Sequence, residues 1–278
     1  MSKTWLITGA NRGLGRVFAT AALARGDRVA ATSRQLEALS DLVEKFADQV
    51  LPLQLDVTDR AACVEVVAAA ARQLGRLDVV VNNAGYGLFG MVEELSEQQM
   101  RDQMEVNFFG LFHMTQAVLP VLRAQGQGHI VQISTVGGVI AFPGLGGYHA
   151  SKWAVEGLTE SLAQEVGAFG IKTTLVEPGP YTTDWAGSSA VHAAPIDAYG
   201  PLRSAMTQRQ AQMPPAMLGE PEAAGPAILQ LVDAPNPPQR LFLGVVPTLF
   251  VPDAYQARLA TWEAWKDVSV AATKVQHA

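Results

Sequence analysis

Tyr148 and Lys152 lie four residues apart in the segment Gly147-Tyr-His-Ala-Ser-Lys152, the spacing that stacks two side chains on one face of a helix. A free phenol gives up its proton near pH ~10. Each unit of downward shift takes roughly 1.4 kcal/mol of preference for the phenolate, which a neighbouring ammonium supplies. The pair therefore has the makings of an acid–base catalyst. The spacing alone is common in proteins, so its meaning rests on the segments around it.

Those segments are strands that run into glycine-rich or polar loops. Thr4 to Thr8 (TWLIT) is a short strand-forming run that leads at once into Gly9-Ala-Asn-Arg-Gly13-Leu-Gly15 and then into a helical pattern carrying Val17, Phe18, Ala21 and Ala22. Glycines let a backbone bend tightly and approach a phosphate, and the following helix N-terminus offers unpaired N–H groups with a partial positive charge. Further on, Leu77 to Val81 precedes Asn82-Asn83-Ala84-Gly85, His129 to Ser134 precedes Thr135-Val-Gly-Gly, and Lys172 to Val176 runs into Glu177-Pro178-Gly179-Pro180. In open parallel sheets ligands bind at the carboxyl ends of the strands, which is where all these loops fall.

Taken in order, TGANRGLG (8 to 15), LDVTD (55 to 59), NNAG (82 to 85), YHASK (148 to 152) and PGPYTT (178 to 183) resemble the motifs of the short-chain dehydrogenase/reductase family. The resemblance runs from Thr4 to about Asp184. It implies a Rossmann fold, a nicotinamide dinucleotide as cofactor, Tyr148 as catalytic acid/base, and Lys152 as the group that depresses the phenol pKa and holds the nicotinamide ribose. It also implies that Asn107 props a water-borne proton relay near the lysine. Gly9, Asn11, Arg12, Gly13, Leu14 and Gly15 then line the dinucleotide from the first loop. Asn83, Ala84 and Gly85 do so from the second, and Pro178, Gly179 and Thr183 from the last.

One position departs from the family pattern. The usual serine thirteen residues before the tyrosine is here Thr135, with Ser134 next to it. A threonine hydroxyl has the same donor and acceptor inventory as a serine, so Thr135 is expected to hold the substrate oxygen. Its extra methyl stiffens χ1 and narrows the site. Ser134 is expected to face the opposite side if the strand pleat persists.

Charge argues for NADP(H) over NAD(H). The second strand, Arg28 to Ser33, ends in Ser33-Arg34 and lacks the acidic residue that hydrogen-bonds a ribose 2′-hydroxyl and repels a 2′-phosphate. Arg34 and Arg12 together make a guanidinium clamp for that phosphate. Asp56, with Val57 beside it, resembles the family residue that contacts the adenine ring. Its other reading is a cap for the helix that starts near Thr58 and Asp59.

The chain of 278 residues is 49% hydrophobic and 17% charged, with a net charge of −6, which suits one large α/β domain and argues against nucleic acid or an anionic membrane as partner. Its single cysteine, Cys63, has no internal disulfide partner and lies among Val64, Val66 and Val67 as a small apolar residue. The scattered histidines show no metal-site spacing, and His149 reads as incidental to Tyr148. With no apolar run of about 20 residues and no cleavable leader, the cytoplasm is the expected location.

Strands are expected near 4–8, 28–33, 50–55, 78–82, 129–134, 172–176 and 240–244, alternating with helices in a doubly wound parallel sheet. Leu36, Leu39, Val43 and Phe46 predict one helix, and Ser96 with Gln99 predicts a capping box on the helix leading to Asn107. Gly26 suits the end of the first helix. Residues 184–221 break the pattern with Trp185, Tyr199, Met206, Met213 and Met217. They read as a substrate lid or as a surface excursion on the sheet edge. With Phe89, Phe142, Leu145 and Tyr181 they suggest an apolar pocket for a hydrophobic or aromatic ketone/alcohol pair. A C-terminal extension over 249–278 shows a helical pattern with Tyr255, Trp262 and Trp265, folding over the core or reaching a neighbouring subunit. A homodimer or homotetramer is expected through the helix that carries Trp153, Ala154 and Leu158.

The resulting expectation is an NADP-dependent carbonyl reductase or secondary alcohol dehydrogenase. An epimerase or dehydratase using a transient hydride transfer, and a non-catalytic NADP-binding regulator, are the alternatives on the same fold.

Overall fold

Side chains alternate along the first strand, β1 (Thr4–Ile7), and the alternation divides the core into two layers. Trp5 and Ile7 pack into one, with Phe18, Leu23, Ile228 and Leu231. Leu6 packs into the other, with Cys63, Val80, Met114, Val118 and Leu122. A strand buried on both faces belongs in a parallel sheet covered by helices on each side, and the computed structural model, which describes residues 2–187 and 189–273, has that architecture.

Among the described residues the strands after β1 are β2 (Arg28–Ser33), β3 (Val50–Gln54), β4 (Val79–Asn82), β5 (Leu88–Phe89), β6 (Gly128–Ile133), β7 (Ile171–Pro178), β8 (Val191–His192) and β9 (Arg240–Leu243). The α-helices are α1 (Gly13–Ala24), α2 (Ser40–Phe46), α3 (Arg60–Leu74), α4 (Glu97–Met104), α5 (Leu111–Gln125), α6 (Gly146–Val166), α7 (Gly200–Ala211), α8 (Ala224–Asp233), α9 (Val245–Ala264) and α10 (Lys266–Ala271). The seven long strands form one sheet in the order β3-β2-β1-β4-β6-β7-β9, and every pairing in it is parallel. The chain runs outward from β1 to β3, then crosses back so that β4 lies on the other side of β1. The loops after β1 and β4 therefore diverge and leave a crevice at the switch point.

All seven strands expected from the sequence belong to this sheet, and Cys63 is fully buried. The helix ends also follow local chemistry. Gly26 takes φ 93° just past α1, and Ser96 with Gln99 forms the reciprocal capping box on α4.

Other elements differ from expectation. The single helix over Leu36–Phe46 is split into a 3₁₀ turn, Leu36–Leu39, and α2. At the break the Ser40 hydroxyl donates to the Glu37 carbonyl at 2.8 Å, a local bond that competes with a continuous helix. The cap of α3 is Asp59, whose side chain accepts from Ala62 N. Asp56 instead closes a turn onto Thr58, accepting from its N–H at 3.0 Å and its hydroxyl at 2.8 Å. The C-terminal helices begin earlier than expected, at Val245, and contact the rest through one side only. Val251 packs on Val136, Val139 and Ile140, and Arg258 lies over the Trp153 and Tyr255 rings. Trp262 and Trp265 stay 64% and 63% exposed. The helical aromatic pattern is thus not a core-facing stripe. Ser188 and residues 274–278, within the expected lid and extension, lie outside the described residues.

The segment between β7 and α8 crosses the carboxyl ends of the strands. Its short strand β8 pairs in parallel with β5, a two-stranded sheet too short to be read from sequence periodicity. The segment is tied down by Glu94, whose side chain is shut off from solvent. Glu94 Oε1 accepts from Arg203 Nη2 at 2.5 Å and from Ile196 N at 2.8 Å. Its Oε2 accepts from Arg203 Nη1 at 3.1 Å and from Met91 N at 2.8 Å. Such a bidentate pair fixes α7 against the body of the protein.

Replacing Arg203 by Ala removes the cation from an enclosed carboxylate. Limited proteolysis with thermolysin should then nick residues 193–217 several-fold faster, while the global Tm falls by no more than about 4 °C. An unchanged nicking rate would show that this pair does not hold the segment.

Candidate active site

The two loops that flank the switch point are welded by hydrogen bonds from a residue the sequence reading left unassigned, Thr8. Its hydroxyl accepts from Asn83 N at 2.9 Å and Ala84 N at 3.0 Å. Asn83 Nδ2 returns the connection, donating to Thr8 O at 2.9 Å and Gly9 O at 3.1 Å. Asn83 is thereby fully engaged with the first loop, and its side chain serves the architecture of the crevice.

The first loop has the features of a phosphate cradle. Gly9 and Gly13 take φ 64° and 55°, a region that side chains with a Cβ rarely enter. Helix α1 starts at Gly13, and Arg12 before it provides no side-chain cap, so its first-turn N–H groups and the positive end of its dipole are left for the crevice. Asn11 and Leu14 are half-buried along the loop. Gly15 packs so closely that a Cβ there would come within 2.3 Å of Asn83 Nδ2 and 2.5 Å of Gly9 O. These observations fit a bound pyrophosphate.

At the end of β2, Ser33 is buried and its hydroxyl accepts from Gln35 N at 3.2 Å. Arg34 and Arg12 are both exposed. Among the described residues neither guanidinium has an ion-pair or hydrogen-bond partner. Val57 is buried beneath Gly110, with Asp56 exposed beside it.

Helix α6 brings Tyr148 and Lys152 to the crevice, 7% and 5% exposed. Lys152 Nζ donates to the Ile133 carbonyl at 2.8 Å, at the end of β6, and lies 5.9 Å from the Tyr148 ring centroid. A Cβ placed on Gly85 would be 3.7 Å from Lys152 Nζ and 3.0 Å from Asn107 Oδ1. The second loop, the lysine and Asn107 therefore converge. Asn107 sits in a π-helical turn, Glu105–Gly110, between α4 and α5, the kind of local irregularity that recurs at functional sites. Its Oδ1 accepts from Tyr86 N at 3.0 Å, and its Nδ2 donates to Tyr86 O at 3.0 Å and Ser151 Oγ at 3.2 Å. Ser151, a further residue not singled out from sequence, donates in turn to Tyr148 O at 2.7 Å.

Thr135 and Ser134 diverge. Thr135 lies near the Tyr148 phenol, its hydroxyl accepting from Gly137 N at 3.2 Å and donating to Pro178 O at 3.4 Å, whereas Ser134 Oγ donates to Glu156 Oε1 on the far side. The proton chemistry differs from the expectation that Lys152 depresses the phenol. Burial pushes Tyr148 above its ordinary range, and the neighbouring Thr135 hydroxyl is the opposing influence. The ammonium is held by Ile133 and does not reach the phenol oxygen strongly enough to reverse this. Burial also lowers Lys152 to about 8, against an opposing pull from Glu156.

His149 has a packing role. It is buried, its pKa is lowered to about 4 by desolvation, and its Nδ1 accepts from Phe142 N at 3.4 Å. A Cβ on Gly137 would come within 2.4 Å of its ring, so the imidazole props the turn after Thr135.

Pro178 and Gly179 end β7, and Gly179 N donates to Leu243 O at 2.9 Å. Close contact with Pro247 explains the need for glycine there, since a Cβ would meet its ring at 2.8 Å. Thr183 is half-buried at the start of the crossing segment. The next turn carries Trp185, whose ring lies 4.9 Å from Tyr148 and 5.2 Å from Phe89. His192 stacks on Phe89 at 5.0 Å. An aromatic wall thus closes over the phenol.

The profile of short chain dehydrogenases matches residues 3–193. Over 272 residues the chain is 40% identical to "Oxidoreductase BOA17" of Botryotinia fuckeliana, an alignment that covers 98% of this chain and 99% of that one. A short-chain dehydrogenase structure from Streptomyces avermitilis superposes with a TM-score of 0.90 at 39% identity, covering 98% of this chain and 99% of that one. An alcohol dehydrogenase of the archaeon Thermococcus sibiricus, solved with 5-hydroxy-NADP, gives a TM-score of 0.74 at 26% identity over 89% of this chain and 98% of that one. The chain belongs to the short-chain dehydrogenase family, and is an oxidoreductase of that family.

The packing of Gly15 yields a direct test of the cradle. Gly15→Ala drives a methyl into Asn83 and the Gly9 carbonyl, and overpacking of this kind costs about 1–3 kcal/mol. Chemical denaturation should register that loss. Dinucleotide binding by fluorescence titration should weaken at least tenfold, and undiminished affinity would remove the loop from the cofactor site.

Proposed function

We propose that the protein is an NADP-dependent carbonyl reductase or secondary alcohol dehydrogenase acting on a hydrophobic or aromatic ketone/alcohol pair. The observation that carries the reading is the buried Tyr148 with Lys152 Nζ 5.9 Å from its ring centroid, set beside Asn107 and Gly85 at the mouth of a phosphate cradle. When bound, the dinucleotide supplies the hydride for reduction or takes it up in oxidation. The residues of this chain do the remainder.

In the reductive direction Tyr148 would pass its phenol proton to the carbonyl oxygen as the carbon is reduced, leaving a secondary alcohol. Thr135 donates a hydrogen bond to the same oxygen as negative charge builds on it. Lys152 would hold the nicotinamide ribose and return a proton to the tyrosine, with Asn107 and Ser151 fixing that side of the site. Trp185, Phe89 and His192 form the apolar wall that excludes water and selects an apolar substrate. In this reading the segment over 184–221 is a substrate lid on a single Rossmann domain.

Support for NADP(H) is electrostatic. Arg34 directly follows β2 and Arg12 lies in the loop after β1, both exposed and without competing partners among the described residues, and β2 ends in Ser33-Arg34 with no acidic residue to repel a 2′-phosphate. The same proposal includes a cytoplasmic homodimer or homotetramer joined through α5 and α6. Phe109, just before α5, and Trp153 on α6 are each 41% exposed, apolar surface that a second copy would cover.

Two measurements test these assignments. Tyr148→Phe keeps the ring and removes the proton donor, so ketone-dependent oxidation of NADPH should fall by about 10²–10⁴-fold. Retained turnover would refute the role, and turnover without net change in NADPH absorbance in the wild type would favour an epimerase or dehydratase. Arg34→Glu should weaken NADPH at least tenfold more than NADH, and equal loss for both would contradict the clamp.

A further inference from the structure

Helix α6 continues the catalytic spacing beyond the lysine. Tyr148, Lys152, Glu156 and Glu160 follow one another at intervals of four, so they share one face. Glu156 is 5% exposed, far too enclosed for a surface carboxylate. Its Oε1 accepts from Ser134 Oγ, and its Oε2 accepts from Arg240 Nη2 at 2.9 Å. Ser134 joins Thr135 to Ile133, whose carbonyl holds the lysine. One carboxylate therefore reaches the strand end that carries both the substrate-side hydroxyl and the lysine anchor.

The surrounding charges decide which carboxyl is ionised. Arg240 Nη1 donates to Glu160 at 2.8 Å, and its Nε lies 3.1 Å from Glu177 Oε1 on β7. Glu177 is fully buried, and neither of its oxygens has a hydrogen-bond partner among the described residues. Burial and the neighbouring Glu156 raise it to about 8. Glu156 is raised by burial too, but Ser134 and Arg240 oppose the shift. Three carboxyls share one guanidinium, and of the two buried ones the one with two hydrogen bonds keeps the charge while the bare one takes the proton.

We infer that Glu156 is a positioning residue for the reaction, acting through Ser134 on the Thr135 turn and through its charge on Lys152, while Glu177 stays neutral behind it. This rests on the reading of Lys152 as the lysine of a Tyr/Lys proton relay. The groups that face Lys152 are Tyr148 and Glu156 on its own helix, the Ile133 carbonyl of β6, and Asn107 near Gly85. Behind Glu156 stand Glu177 of β7 and Arg240 of β9. Among them the Ile133 carbonyl accepts its hydrogen bond, and Glu156 is the charged group that supports the protonated lysine against burial.

The test is the titration midpoint of Lys152 in the full-length protein labelled with [ε-¹³C]lysine, with its resonance assigned by Lys152→Arg. Removing the negative charge makes the ammonium harder to hold, so Glu156→Gln should move the midpoint down by about one pH unit. Glu156→Asp should restore most of it. The kcat/KM limb that titrates with Lys152 should shift toward lower pH by the same amount. Ser134→Ala should leave the midpoint in place while raising KM several-fold.

A folded Glu156→Gln protein whose Lys152 midpoint is unmoved or raised would overturn the inference. Should that variant not fold, Glu177→Gln decides. It should leave the midpoint where it was, and a downward shift would mean that the charge sits on Glu177. Because the NMR midpoint needs no turnover, an unmoved midpoint beside an inactive Tyr148→Phe fails this inference alone. A moved midpoint in a wild type without ketone-dependent turnover fails only the proposed reaction.

Discussion

Burying an ammonium is costly unless polar groups meet it, and the architecture around the crevice is organised by that requirement. Lys152 is nearly excluded from solvent. The Ile133 carbonyl is its direct hydrogen-bond partner, at 2.8 Å. Strand carbonyls at the carboxyl end of a parallel sheet are free to accept in this way because the ladder stops there. The bond ties α6 to β6, and with it the phenol of Tyr148 to the hydroxyl of Thr135. If α6 slid by a turn, the lysine would lose its acceptor and the tyrosine would leave the threonine. The register of the helix on the sheet and the geometry of the candidate site are therefore one constraint.

The opposite side of the crevice obeys a complementary rule, in which glycine takes up positions that no side chain can occupy. Gly9 and Gly15 press against Asn83 and Ala84, and Thr8 distributes its hydroxyl between two backbone donors of the second loop. The loops after β1 and β4 cannot move apart without breaking these bonds. A crevice at a topological switch point is a consequence of strand order, but its rigidity comes from this small set of polar contacts. Both walls are thus fixed before any ligand enters, the condition under which binding energy is not spent on ordering the site.

Much of this was legible in the chain because it is local. Parallel strands buried on both faces are unbroken apolar runs, and each expected run became part of the sheet. The Ser96–Gln99 box and Gly26 act over three or four residues, and they hold. What was not legible depends on contacts far apart in sequence. Glu156 follows Lys152 at the spacing already noticed for the catalytic pair, a signal that pointed to it, but only the fold shows that Ser134 and Arg240 meet it. The pairing of β5 with β8 joins two residues to two others about a hundred positions away, too short for any periodicity. Trp262 and Trp265 carried a helical rhythm that suggested packing, yet Val251 and Arg258 make the contact and leave the rings outside. The depressed phenol expected beside a lysine gave way to burial, since a charge 5.9 Å from the ring centroid and already engaged elsewhere does not offset full desolvation.

That last difference bears on the proposed chemistry. With Trp185 over its ring, Tyr148 holds its proton well above neutral pH. Lys152, at about 8, is still largely protonated at pH 7. Both members of the pair are then charged with protons, the condition that suits delivery to a carbonyl oxygen rather than removal from an alcohol. Oxidation requires the phenolate, and a desolvated phenol under an aromatic wall resists it until a cation is brought closer or water is admitted. The aromatic cover over the phenol and the burial around it are thus what hold the proton on the oxygen.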